Sequence, residues 1–188
     1  MIDLLNSLSK FQVVDDREGD IAFFKTHIPS MGQKAYLNVI YKPAARDVLC
    51  DVAAKINMPA PVVELLTQYN GAILYSGALS WYGVVRRGQL LNRSDPFSLP
   101  PYNIETEGLV WPSHDRDRLL RIGGYSFDGS LACIDRNDLH IDVFHRGEQS
   151  PYFSWACLED WLNNEIHRLS DLFDSWGKRL VDESKTLP

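Results

Sequence analysis

The stretch that decides the fold reads Leu119-Leu120-Arg121-Ile122, then Gly123-Gly124-Tyr125-Ser126-Phe127-Asp128-Gly129-Ser130, then Leu131-Ala132-Cys133-Ile134, Asp135-Arg136-Asn137-Asp138 and His140-Ile141-Asp142-Val143-Phe144-His145. Short apolar, β-forming runs bounded by Gly, Ser, Asp and Asn are strands joined by turns. The first link is glycine-rich. The second, 135–138, is built of Asp and Asn, whose side chains hydrogen-bond their own backbone and so favour tight turns. The stretch therefore predicts a strand, a turn and a β-hairpin.

Upstream, residues 72–85 are rich in β-formers, with Gly77 placed for a hairpin turn, and residues 21–24 and 35–41 read as two further strands. Between these sets, Val48, Leu49, Val52, Ala53 and Ile56 recur at helical spacing after Pro43. Asn57-Met58-Pro59 breaks that helix, and a second runs over 61–69 to Asn70-Gly71. Residues 2–11 predict a short helix with Leu4, Leu5 and Leu8 on one side. At the other end Leu158, Leu162, Ile166, Leu169, Phe173, Trp176 and Leu180 form a helical stripe that predicts one long helix. Strands are grouped, not alternated with helices, so the class is α+β. Residues 86–118, with Pro96, Pro100, Pro101 and Pro112, predict a long irregular loop.

Composition limits the function classes. The 188 residues are 45% hydrophobic with five Trp, eight Tyr and eight Phe, which excludes intrinsic disorder. A net charge of -6 disfavours direct nucleic-acid binding, which needs a basic face. Cys50, Cys133 and Cys157 form no CxxC pair and are odd in number, so reduced thiols in a cytoplasm are expected. Residues 65–85 carry no charge but are interrupted by Gln68, Asn70, Ser76, Ser80 and three glycines, so no membrane span is expected. The start of the chain lacks the basic and apolar regions of a signal peptide.

No catalytic or cofactor motif stands complete. Gly124-Tyr125-Ser126-Phe127-Asp128 has Asp where a nucleophile elbow needs Gly. The 135–138 loop would place Leu139 and His140 where a calcium loop needs an oxygen ligand and Gly. His140 and His145, five apart on one strand, point to opposite faces and cannot share a metal. No phosphate loop and no HExxH occur. No cofactor, metal or catalytic residue is expected; the alternative enzyme reading is a small hydrolase centred on Ser126, or on His114 and Asp115.

Three pieces, in order, carry a family resemblance. They are Pro61-Val62-Val63-Glu64-Leu65-Leu66-Thr67-Gln68-Tyr69-Asn70-Gly71, then Ile122-Gly123 through Asp128-Gly129-Ser130 into Leu131-Ala132-Cys133-Ile134-Asp135, then Leu158-Glu159-Asp160-Trp161-Leu162. Together they resemble the SUKH superfamily, the Smi/Knr-type domain, over residues 46–170. The family usually caps the last helix with Ser where this chain has Cys157, so Ser154 is expected to cap from an earlier turn. The resemblance implies a central, mostly antiparallel sheet flanked by helices in a single domain, 1–188. Residues 1–42 would be an N-terminal helix and hairpin extension, and 171–188 a helix end with a frayed tail. It also implies a cytoplasmic protein-binding role without catalysis: in bacterial members, immunity against a cognate toxin, a basic nuclease among the candidates, and in fungal members, regulation through protein contacts. No site residue carries over from the family by motif.

Charge suggests where such a partner would bind. Residues 148–188 hold eight acids and four bases. An acidic face there would steer a basic partner at long range. The contact residues expected are Glu159, Asp160, Glu165, Asp171 and Asp174, with a second patch in the irregular loop at Tyr102, Trp111 and His114. The end of the C-terminal stripe, Phe173, Trp176 and Leu180, is either core or a further contact.

Overall fold

The computed structural model describes residues 4–11, 15–86, 96–107, 115 and 117–188. Its strands are β1 (Arg17–Glu18), β2 (Ala22–His27), β3 (Tyr36–Tyr41), β4 (Ala72–Leu74), β5 (Leu79–Trp81), β6 (Leu119–Gly124), β7 (Leu131–Asp135), β8 (Ile141–Phe144) and β9 (Phe153–Trp155). They form one nine-stranded sheet whose spatial order is the chain order, and every neighbouring pair is antiparallel. The helices are α1 (Leu4–Ser7), α2 (Arg46–Ile56), α3 (Ala60–Gln68), α4 (Ile104–Glu107) and α5 (Leu158–Ser170). The class is α+β. None of the described helices is long and apolar enough to cross a membrane.

Alternation along the strands shows where the core sits. Leu79, Trp81, Leu120, Ile122, Ala132, Ile134, Ile141 and Val143 share one buried cluster with Leu49 and Val52 of α2, Leu65 and Leu66 of α3 and Trp161, Leu162 and Ile166 of α5. The helices therefore cover one face of the sheet. On the other face Leu119, Leu131, Cys133 and Phe144 form a small separate cluster, and Ala22, Phe24 and Tyr41 a second one, with the Phe97 ring edge-on to Phe24 at 4.9 Å.

The resemblance-bearing residues have local structural reasons. Asn70 clamps the strand beyond it: its Oδ1 accepts from the Val84 N–H at 2.7 Å and its Nδ2 donates to the Val84 carbonyl at 2.9 Å. Gly71 follows with φ of +97°, a conformation glycine adopts without strain. In β6, a Cβ on Gly123 would lie 2.2 Å from the Ser80 carbonyl oxygen and 2.9 Å from the Trp161 ring.

Segment 1–42 holds a short helix, α1, and the β2–β3 hairpin, as expected, and its strands lie in the same sheet as the rest of the chain. Four expectations are corrected. The helix after Pro43 begins at Arg46. Cys157 itself caps α5, its Sγ accepting from the Asp160 N–H at 3.5 Å, while the Ser154 hydroxyl donates to Asp142 instead. Finally, α5 stops at Ser170. The Asp174 carboxylate accepts from the N–H groups of Trp176 and Lys178, at 2.9 Å each, and Phe173 bridges to Arg179. The last apolar residues thus follow a turn, with Phe173 stacked on Tyr75 and Trp176 and Leu180 exposed. The tail is held, not frayed: Arg168 donates to the carbonyls of Lys185 and Thr186.

Candidate functional site

The corner where β9 enters α5 gathers the most features suited to a partner. Among the described residues β9 is the last strand of the sheet and has no strand on its outer side, the kind of edge that β-augmentation exploits. Phe153 and Trp155 lie two apart and share a side, their rings 4.5 Å apart, with Phe153 exposed. Two residues beyond Trp155 comes the Cys157 cap, then Glu159 and Asp160, both exposed in the first turn of α5. Acids belong there because the helix N-terminus carries partial positive charge. A shallow groove of about 100 Å³ continues the corner toward α3, lined by Pro61, Glu64, Leu65, Gln68, Glu159 and Leu162.

The other expected contact residues do not join this corner. Glu165 is buried at 2% exposure, because its helical position faces the core, and Arg168 of the next turn holds both its oxygens at 2.9 and 2.7 Å. Asp174 is occupied in the turn after α5. Asp171 is exposed and pairs with Lys10, but it lies twelve residues past Glu159, about 18 Å along a helical path at 1.5 Å per residue. The acids of 148–188 are thus not one face. Tyr102 is exposed beside β6 and packs edge-on against Tyr82 at 5.8 Å. Trp111 and His114, like Pro112, lie outside the described residues.

Two polar clusters escaped the sequence reading. In the first, Asp128 Oδ2 accepts from the Ser130 hydroxyl at 2.6 Å and from His145 Nδ1 at 2.9 Å, and the Tyr152 ring stacks on His145 at 3.9 Å. Burial raises the Asp128 pKa, but Ser130 and His145 more than offset this and leave it lowered. The Ser130 hydroxyl also lies 3.3 Å from that same His145 Nδ1, so one ring nitrogen faces both serine and carboxylate. A nucleophilic triad needs the imidazole in the middle, with one nitrogen on the serine and the other on the carboxylate. Ser130 is moreover buried. In the second cluster, His140 donates from one ring nitrogen to Asp142 at 2.9 Å and meets Asp138 with the other, while Asp142 also accepts from Ser154 of β9. Partial burial lowers the His140 pKa, and the two carboxylates reverse this and leave it raised.

Asp135, Asp138 and His140 bring three ligand atoms within 4.8 Å of one another. Asp135 already has its charge met by Arg118 at 2.9 Å and its other oxygen by the Asn137 N–H at 2.8 Å, so the group fits a hairpin turn better than a cation site. Ser126 is exposed beside Gly77, and Asp115 pairs with Arg118 at 2.9 Å. The sequence carries a signal for each cluster, in the alternating Asp and His at 138, 140 and 142 and in Asp128-x-Ser130. Their joining needed the strand register.

In comparison with known proteins, the chain matches no family model, no curated protein and no solved structure.

Proposed function

We propose that the chain is a SUKH-type protein-binding domain that acts as an immunity protein, neutralising a cognate toxin by 1:1 occlusion and transforming nothing itself. With this reading goes a cytoplasmic place of action, where a toxin would meet its target. Its main support is the β9–α5 corner, where an unpaired sheet edge, an aromatic pair and the exposed acids Glu159 and Asp160 adjoin. Aromatic side chains are the usual anchors of an interface, and charges around them set the rate of encounter more than the affinity. A basic toxin would be drawn to Glu159 and Asp160, dock on Phe153 and Trp155, and extend the sheet or fill the α3–α5 groove. The three ordered motifs of the resemblance support the same reading.

The test is co-expression with the product of the adjacent open reading frame, scored by growth rescue, followed by stopped-flow association. Glu159→Lys/Asp160→Lys should slow association about tenfold at low salt and less at high salt, as steering requires. Asp171→Lys, at the far end of α5, should leave the rate unchanged. Absence of rescue by the parent chain, or unaltered association in the double reversal, would refute the proposal.

A further inference from the structure

On the sheet face away from α2, α3 and α5, the strands β5 and β6, the end of α4 and the 125–130 turn border a cleft of about 270 Å³. Ser80 and Arg121 reach this face because they alternate with the core residues Leu79, Trp81, Leu120 and Ile122. Among the described lining residues Arg121 is the only cation and Glu107 the only anion. The Arg121 side chain is 16% exposed, and one terminal nitrogen lies 3.3 Å from the Glu107 carboxylate. Its Nε is buried without a hydrogen-bond partner. The guanidinium sits 5.0 Å from the centre of the Tyr82 ring, and the half-exposed Tyr102 ring forms the lip beyond it. Gly77, with no side chain, keeps the opposite wall back.

This pair is under-used. A guanidinium has five N–H donors and a carboxylate about four acceptor sites, yet they share one long contact and not a bidentate fork. A ligand bringing a carboxylate to Arg121 and an ammonium to Glu107 would replace that contact with two charge-assisted ones. The two ligand groups must be as close together as the protein pair, and an α-amino acid carries both on one carbon. The pair's opposite charges cancel, which favours a zwitterion over a polyanion or a polycation. The volume falls just under the roughly 300 Å³ at the small end of small-molecule sites, so the occupant is one residue in size. Tyr82, Tyr102 and Ile73 offer its side chain an apolar flank.

We propose that this cleft binds a free α-amino acid with an aromatic or large aliphatic side chain, its carboxylate on Arg121 and its ammonium on Glu107. The site lies on the face opposite α2, α3 and α5 and is independent of the partner-binding reading. Titration of the full chain with L-phenylalanine, by calorimetry and saturation-transfer NMR, is the test. Saturable binding is expected, weakened about tenfold or more by N-acetylation or by amidation of the ligand, each of which removes one charge-assisted contact. Arg121→Gln and Glu107→Gln should weaken it similarly. Tyr102→Ala, at a half-exposed position outside the sheet, loses only the edge-on contact with Tyr82 and should weaken it with at most a small shift in urea midpoint. No saturable binding of L-phenylalanine, L-leucine or L-tryptophan would overturn the proposal. So would equal binding of the blocked ligands, or full binding by Arg121→Gln and Tyr102→Ala.

Discussion

Arg168 joins α5 to the C-terminal tail, and replacing it by methionine separates two of its roles. Its guanidinium grips both oxygens of Glu165 at 2.9 and 2.7 Å and donates to the carbonyls of Lys185 and Thr186 at 3.1 and 2.8 Å. Glu165 is 2% exposed and Arg168 32%. In Arg168→Met the carboxylate keeps its burial and loses its cation. Breaking a buried pair from one side costs about 3–5 kcal/mol, and the partial exposure of Arg168 puts this case at the lower end. At about 2–4 °C per kcal/mol for a chain of this size, Tm should fall by about 6–12 °C. Glu165→Leu/Arg168→Met removes both charges, leaves no buried charge unpaired, and should regain at least about 1 kcal/mol over the single variant. It should not regain everything, because the two tail carbonyls stay unpaired. Urea melts followed by tryptophan fluorescence give the midpoints and slopes. A single variant within about 1 kcal/mol of the parent, or a double no better than the single, would refute this account.

Cys157→Ser puts a stronger acceptor on the Asp160 N–H and should raise stability by about 0.5 kcal/mol, read as a shift in urea midpoint. His140 has a raised folded pKa, so its contribution is complete below the unfolded value of about 6.5 and is lost as pH rises through the folded one. The difference between parent and His140→Gln, on the order of 0.2–1 kcal/mol, should therefore shrink from mildly acidic to alkaline pH in paired melts. Gly123→Ala sets a Cβ 2.2 Å from the Ser80 carbonyl oxygen and should cost about 3 kcal/mol or more by thermal melting. The Cys133 thiol is wholly buried, and burial pushes its pKa up to about 12, so an aromatic disulfide reagent should label exposed Cys50 in the native chain and reach Cys133 only after denaturation.

The legible parts of this chain are those whose information is local. The β7–β8 hairpin and the β6 strand announce themselves because apolar runs and Asp-rich turns are adjacent in sequence. β1 and β9, of two and three residues, are too short to carry a period of two, and they exist because β2 and β8 offer them an edge. The stripe Leu158 to Leu180 was over-read for a different reason. Phe173 keeps helical spacing although it has left the helix, since packing on Tyr75 is all the spacing reports. The competing signal was Asp174 three residues before Gly177, an Asp turn closed by a residue with φ of +78°. Glu165 shows the same limit at single-residue scale. Its charge marked it as surface, while Arg168 three residues on was the sign of a pair turned inward.

The candidate sites were less legible because register, not composition, assembles them. Arg121 pairs with Cys133, Cys133 with Asp142 and Asp142 with Ser154, so four residues from four strands form one row across the sheet. None of the four is near another in sequence. A slip of one residue at any of these strand pairs would send its member to the helix-covered face. The bulge between Arg121 and Gly123 matters for the same reason: it restarts the alternation of β6, so that Gly123 passes Trp161 on one side while Arg121 is held on the other, at the wall of the cleft. A polar residue is tolerated in the middle of such a sheet only if its partners arrive in step, and that timing is a property of the whole meander.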